Sequence, residues 1–268
     1  MSIYGNPVMM GGSGGGGGGD VPLLTRAQWD ALSTAQKRAY SLIAVQDSNS
    51  GFDRGKLYYG ADYVGSLLTA STPSSILAEA LCENYDASIA SWDNLSLVTT
   101  ASKDNDGAVV LGTGNCAYYD LGAANTQCTV YAVLKQINTV SYNSTAIGFT
   151  YALSAGNSPN FFSYSNTMNL YTSLYGSDTS TGYSLSNYLM LAMRVGANKQ
   201  ISYFVNNAYT ADKTANNSGQ VVAFSAAKSD LTNSIPVNAK YLAVVSGAET
   251  DAVISANMQS IMAHYGIS

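Results

Sequence analysis

The sequence predicts a mostly β protein: an antiparallel β-sandwich of the jelly-roll kind with a C-terminal helix, preceded by a small α+β module. Three observations carry this. From about residue 78 onward, short runs rich in Val, Ile, Tyr and Phe alternate with clusters of Gly, Asn, Ser and Asp, the texture of strands joined by polar turns rather than of βαβ units. Charged residues make up only 11% of the chain, while tyrosines number 20, which suits strands whose exposed face is polar but uncharged. The clearest helical periodicity comes at the very end, in residues 246–266.

The elements follow in order. Residues 11–19, "GGSGGGGGG", offer no side chains to bury, so residues 1–19 read as a flexible anchor and tether. Thr25 with Gln28, and Ser33 with Gln36, have capping-box spacing, which predicts two short helices, "TRAQWDAL" and "STAQKRAY". "SLIAVQ" and "KLYYGADYV", separated by "DSNSGFDRG", predict a small hairpin. Residues 20–66 thus form a helix-helix-hairpin module, 67–77 a linker, and 78–268 the sandwich. Its readable strands are "GAVVLG", "CAYYDLG", "CTVYAVLKQ", "TAIGFTYAL", "NFFSYS", "YLMLAMRV", "ISYFVNN", "QVVAFSA" and "KYLAVVS". Ser246 and Glu249 have capping-box spacing, Ile254, Met258, Ile261, Met262 and Tyr265 form an apolar stripe, and Gly266 stands at the C-cap. That helix is expected on the rim of the sandwich.

Several function classes are excluded. A net charge of −5 with no basic stripe argues against nucleic acid. No run is long and apolar enough to insert in a membrane, and "MSIYGNPVMM" lacks a secretory signal's basic start and apolar core. Cys82, Cys116 and Cys128 share no CxxC spacing and stand beside a single histidine, His264. Buried free thiols, and no metal or cofactor, are the expectation. "DNDG" (104–107) reads as a turn rather than a calcium loop, since further acidic ligands do not follow. The glycine run is preceded by no strand and followed by no Lys-Ser/Thr, so it is no phosphate loop.

Glycoside hydrolysis uses two facing carboxylates, and the strand-like runs "CTVYAVLKQ", "YLMLAMRV" and "ISYFVNN" contain none. Glu79, Glu83 and Glu249 read as lying outside the strands, Glu249 as a cap, and His264 as a cation at a helix C-terminus. No catalytic residue is expected, and the chain reads as no enzyme. Sugar binding fits better, because sugars stack on aromatic rings and bond to amides and hydroxyls. Between Gln136 and Met193 the only charged residue is Asp178. Tyr142, Tyr164, Tyr171, Tyr175 and Tyr183, with Asn206 and Asn207, are the glycan-binding candidates. Trp92 is expected in the core.

"YYDLGAANTQCTVYAVLK" (118–135), "KQISYFVNNAYT" (199–210) and "YLAVVSGAETDAVISANMQSIMAHYGI" (241–267) resemble, in order, segments of concanavalin A-like, laminin-G-like jelly rolls, with Asn207 where that family usually has Gly. The N-terminal stretch "LTRAQWDALSTAQKRAYSLIAVQDSNSGFDRGKLYYGADYV" behind its glycine-rich leader resembles the opening module of tail, baseplate and head-fibre proteins of tailed phages and prophages. The resemblance implies a virion protein, assembled in the host cytoplasm, that meets other virion proteins through residues 1–66 and displays a lectin-like domain toward host-surface glycans. A head fibre or capsid decoration protein with a purely structural jelly roll is the alternative, and a polysaccharide-cleaving enzyme a distant one. The small core of residues 20–66 also implies a homo-oligomer, a trimer before a dimer.

Overall fold

In a computed structural model of the chain, three short strands are described in the first 65 residues. From Ser66 to Ser268 all residues are described except 73–74, 86–90, 94, 98–99, 113–115, 122–126, 140–143, 152–158, 164–165, 175–176, 197–199, 215–220 and 227–234. Two compact units result, Met1–Ser66 and Leu67–Ser268. In the first, β2 (Ile43–Val45) pairs antiparallel with β3 (Leu57–Tyr58), where the hairpin was expected. A strand no pattern announced, β1 (Leu23–Leu24), pairs parallel with β2. The two helices expected over 25–40 and the glycine tether lie outside the described residues.

The second unit is an antiparallel β-sandwich. Sheet one contains β4 (Ile76–Leu81), β7 (Ser102–Lys103), β8 (Val109–Leu111), β10 (Cys128–Gln136), β15 (Leu189–Val195), β16 (Gln200–Val205), β17 (Ala208–Thr214) and β19 (Val237–Ser246). Its order is β17-β16-β15-β10-β19-β8-β7, and β4 shares the far edge of β19 with β8. Sheet two contains β5 (Ser91–Trp92), β6 (Leu95–Leu97), β9 (Ala117–Asp120), β11 (Ser144–Tyr151), β12 (Asn160–Ser163), β13 (Asn169–Leu174), β14 (Ser177–Ser184) and β18 (Val221–Ala226). Its order is β14-β13-β12-β11-β18-β9-β6-β5.

The core lies between the sheets. Every second residue of β10 (Cys128, Val130, Ala132, Leu134) meets Leu191 and Met193 of β15 and Leu242 and Val244 of β19 there, with Phe161, Leu170 and Ile147 from sheet two. The Phe161 and Tyr203 rings cross edge to face at 5.3 Å, a favoured aromatic geometry. Trp92 is fully buried, as expected, and its indole N–H donates to the Leu81 carbonyl at 2.9 Å. Cys82, Cys116 and Cys128 are buried free thiols. Burial, then the neighbouring Glu83 charge, pushes the Cys82 thiol up to about 12, and burial does the same to Cys128.

Helix α1 (Asp251–Tyr265) covers the outer face of sheet one and buries Ile254, Asn257, Met258 and Ile261. Its apolar stripe and its left-handed Gly266 C-cap are those read from the sequence, but three expectations need correction. The N-cap is Thr250, whose side chain accepts from the Val253 amide, and Glu249 turns instead to Ser71 and Tyr131. The helix lies on a sheet face rather than the rim, because β10 presents buried Thr129 and Tyr131 on the side away from the core. The stretch 67–77 is no free linker. Leu67, Leu68 and Ser71 are buried, the Ala70 amide donates to Asn257 Oδ1 at 2.9 Å, and β4 begins at Ile76. Among the described residues no helix is long and apolar enough to cross a membrane.

Candidate functional site

The two outer faces of the sandwich differ, and the open one is sheet two. In β6, Ser96 is exposed between buried Leu95 and Leu97, and in β9, Tyr118 is 39% exposed between core residue Ala117 and core-packed Tyr119. The strand registers continue that row: Ser96 opposite Tyr118, Tyr118 opposite Ser225, Ser225 opposite Gly148, Gly148 opposite Asn160, Asn160 opposite Ser173, and Ser173 opposite exposed Asp178. With strands ~4.8 Å apart, the row runs for roughly 29 Å across the sheet. Along it Ser96, Tyr118 and Asp178 are exposed and Asn160 is half-buried.

Beside the row, β12 and β13 bring Phe162 opposite half-buried Tyr171, their rings 5.6 Å apart and tilted by 39°. Phe162 alternates with core residue Phe161, so it faces outward, yet it is only 6% exposed. Tyr118 near one end and half-buried Tyr171 near the other flank a polar row whose one charge is Asp178 at its end, and so supply what a sugar chain uses: ring faces for its C–H groups, and hydroxyls and amides for its own hydroxyls.

Of the residues singled out in the sequence, Tyr171 belongs to this face. Tyr183, in β14, is half-buried and packs against the core. Asn206 and Asn207 belong to the other sheet, at the turn between β16 and β17, with φ of 47° and 63°. Both φ values are left-handed, which asparagine tolerates in tight hairpins. Asn206 Oδ1 accepts from the Met190 amide at 3.0 Å and its Nδ2 donates to the Ser268 carbonyl at 3.1 Å. Asn206 is thus engaged in holding the hairpin. Tyr142, Tyr164 and Tyr175 lie outside the described residues. Sequence reasoning missed Tyr118, Asn160 and Phe162. The period-two alternation in "CAYYDLG" and "NFFSYS" was the available signal, since it already puts one tyrosine and one phenylalanine outward.

Sheet one spends its polar groups internally. Glu79 is not outside the strands as expected: it lies within β4, 2% exposed, and its Oε1 accepts from the Leu67 amide at 2.7 Å and the Tyr241 hydroxyl at 2.8 Å. Tyr131 donates to Glu249 Oε2, and Asn257 Nδ2 donates to Ser71 Oγ. Burial, then the adjacent carboxylate, raises both phenols far above their ordinary range: Tyr131 beside Glu249, Tyr241 beside Glu79. A carboxylate-paired tyrosine can act as a glycosyl nucleophile, but both hydroxyls sit in fully buried residues beneath α1 and the 67–71 segment. Arg194 fastens the start of α1, donating to the Glu249 carbonyl at 2.9 Å and to Asp251 at 2.6 Å.

At the far end of α1, His264 Nε2 lies 3.1 Å from Glu83 Oε1. Burial opposes ionisation of Glu83, but hydrogen bonds from His264, its own backbone and Cys82 outweigh it and hold the carboxyl below its usual value. "DNDG" forms a turn in which Asp104 Oδ1 accepts from the Asp106 and Ala108 amides at 2.9 and 2.8 Å. Among the described residues no group of three or more His, Cys, Asp or Glu is placed to hold a metal ion.

No family model and no curated protein matches the chain. Solved structures do. Trypanosoma rangeli sialidase is 14% identical over 71% of this chain and 33% of its own, with a TM-score of 0.57. A mutant of that sialidase displaying trans-sialidase activity gives 11%, 72%, 34% and 0.57. The binding domain of Botulinum neurotoxin DC, in complex with rat synaptotagmin II, gives 11%, 73%, 52% and 0.50. The shared feature is the β-sandwich. This chain spans about a third of the sialidases and about half of the toxin domain. The expectation that the chain is no enzyme is withdrawn, because structures with this fold include sialidases, which are enzymes.

Proposed function

We propose that the sandwich is a glycan-recognition module whose ligand lies along the Ser96–Asp178 row of sheet two, displayed by a virion protein of a tailed phage or prophage. The observation that carries the first half is the row itself, a polar track of roughly 29 Å whose one charge is Asp178 at its end, with Tyr118 near one end and Tyr171 beside the other. The fold agrees with it, since one sialidase with this fold, at a TM-score of 0.54, was solved in complex with sialic acid. The second half rests on the glycine-rich leader and the resemblance of residues 24–64 to phage opening modules. In this reading residues 1–66 attach to other virion proteins and hold a trimer.

A glycan array with the full chain, followed by titration of the best ligand, tests the recognition. Saturable binding that Tyr118→Ala and Tyr171→Ala each weaken by about tenfold, roughly one lost stacking contact, is the expected result. Binding indifferent to both changes, or none to any host-surface glycan, overturns it. Peptides of this chain in purified particles released from the host test the virion assignment, and their absence refutes it.

A further inference from the structure

We infer that Lys135, Lys240 and Tyr188 form a second, independent site, on the sheet-one side of the sandwich, that takes the oxyanion of an acidic saccharide. Lys135 is on β10. In the β10–β19 pairing Val133 opposes Tyr241 and Leu134 opposes Ala239, which leaves Lys240 as the extra residue of a β-bulge, a feature that re-aims a side chain. Both ammonium groups converge on one ring: Lys240 Nζ is 4.5 Å and Lys135 Nζ 5.7 Å from the Tyr188 centroid. Lys240 Nζ is also 6.0 Å from the Tyr265 centroid.

Two like charges sharing a ring repel. Neither lysine makes an ion pair among the described residues. The nearby acids are engaged: Asp104 Oδ1 accepts two backbone amides and its Oδ2 accepts from Asn238 Nδ2. Glu83 accepts from Tyr265 at 3.1 Å and faces His264. Asp106 is exposed, and the charges of Asp104 and Asp106 both act on the Tyr188 phenol. A bound oxyanion would relieve the repulsion while the ring holds the lysine stems in place. Carboxylate and sulfate groups share the required chemistry, and inorganic sulfate is the competing source.

The test is calorimetric titration of the full chain with a hyaluronan oligosaccharide, a heparin disaccharide, sodium sulfate and a neutral maltooligosaccharide. We expect saturable binding of the acidic saccharides, weakened at least about tenfold between roughly 50 and 500 mM salt, and any binding of the neutral one to be indifferent to salt and to the lysine changes. Lys135→Met with Lys240→Met, which keeps the apolar stems, should lose about tenfold or more, whereas the double arginine variant stays within about threefold. Single methionine variants, each losing about threefold, decide the matter if the double variant fails to fold. The lysine changes should leave the best array ligand of the sheet-two row bound as before, which separates this site from that row. Absence of binding by every acidic probe, or equal affinity in the methionine variants, overturns the site. Sulfate binding as tightly as the saccharides overturns the saccharide assignment.

Discussion

Tyr241→Phe removes one oxygen from a fully buried residue and leaves its ring in place. The lost bond, hydroxyl to Glu79 Oε1 at 2.8 Å, runs between groups 162 positions apart and joins β19 to β4 beneath the 67–71 segment. Glu79 Oε2 is already buried without a partner among the described residues, so the carboxylate would keep only the Leu67 amide. A hydrogen bond to a charged group contributes about 1.5–3 kcal/mol, and about 2 kcal/mol is expected here. In a domain of this size that lowers Tm by roughly 4–8 °C and the urea midpoint by roughly 1 M. Glu79→Ala should cost more, about 4 kcal/mol, because it strands two buried donors, while the double variant should cost little beyond it. Urea unfolding of the four proteins, with hydrogen exchange at the Leu67 amide, is the assay. A Tyr241→Phe cost under about 0.5 kcal/mol, or additive single costs, refutes the structural role. Any glycosidase activity of the chain should survive the change, since the pair is sealed from solvent. Loss of such activity at unchanged stability would assign the pair to chemistry instead.

Alkaline pH gives a second prediction: because the folded-state pKa values of Tyr131 and Tyr241 lie well above their ordinary 10, their contribution is intact below pH ~10 and is lost as pH rises beyond it. Two protons retained only by the folded state give a slope of about 2.7 kcal/mol per pH unit there. A tyrosine absorbance titration in which every phenol ionises before the fold is lost would contradict it. The thiols give a third: with Cys82 and Cys128 pushed up to about 12 and all three cysteines buried, an aromatic disulfide reagent at pH 8 should label none until denaturant is added. Labelling of the native chain within minutes would count against the burial described.

The strands legible in the sequence were those whose apolar residues recur densely, because they are central. β10 and β19 are buried almost throughout, one face on the core and the other beneath α1. The strands that escaped notice include β5, β6, β7, β13, β14 and β17, the last three running "NLYTSL", "SDTSTGYS" and "AYTADKT". β14 and β17 are sheet edges, where pairing on one side suffices and polar side chains are tolerated. "ILAEAL" escaped for the opposite reason: its glutamate looks incompatible with a buried strand until Tyr241 supplies a donor from far along the chain. The Ser246–Glu249 spacing suggested a cap, yet spacing cannot show that Ser71 and Tyr131 compete for the same carboxylate. The same limit applies to the candidate site. Tyr171 was visible as one tyrosine of an uncharged stretch, but the row joining Ser96, Tyr118 and Ser225 to Asn160 exists only through registers between distant strands.

Which face can recognise a long ligand follows from where the helix sits. α1 and the 67–71 segment occupy the outer side of sheet one, and the groups beneath them, Thr129, Tyr131, Glu79, Tyr241 and Asn257, already hold partners. A ligand there would have to displace a packed helix, which leaves the margin beyond its C-terminus, where Lys135 and Lys240 stand, and the β17 edge, where Tyr209 is exposed, within reach. Sheet two carries no helix among the described residues, and four of its strands, β11 to β14, come from the stretch whose single charge is Asp178. That composition has an energetic meaning. Covering ionised groups with a neutral ligand costs several kcal/mol each unless they are paired, whereas hydroxyls and amides exchange water for sugar hydroxyls at little net cost. A face whose described charges are Asp120 and Asp178 alone is therefore one on which a neutral polysaccharide can be bound weakly at each strand and usefully over the whole row.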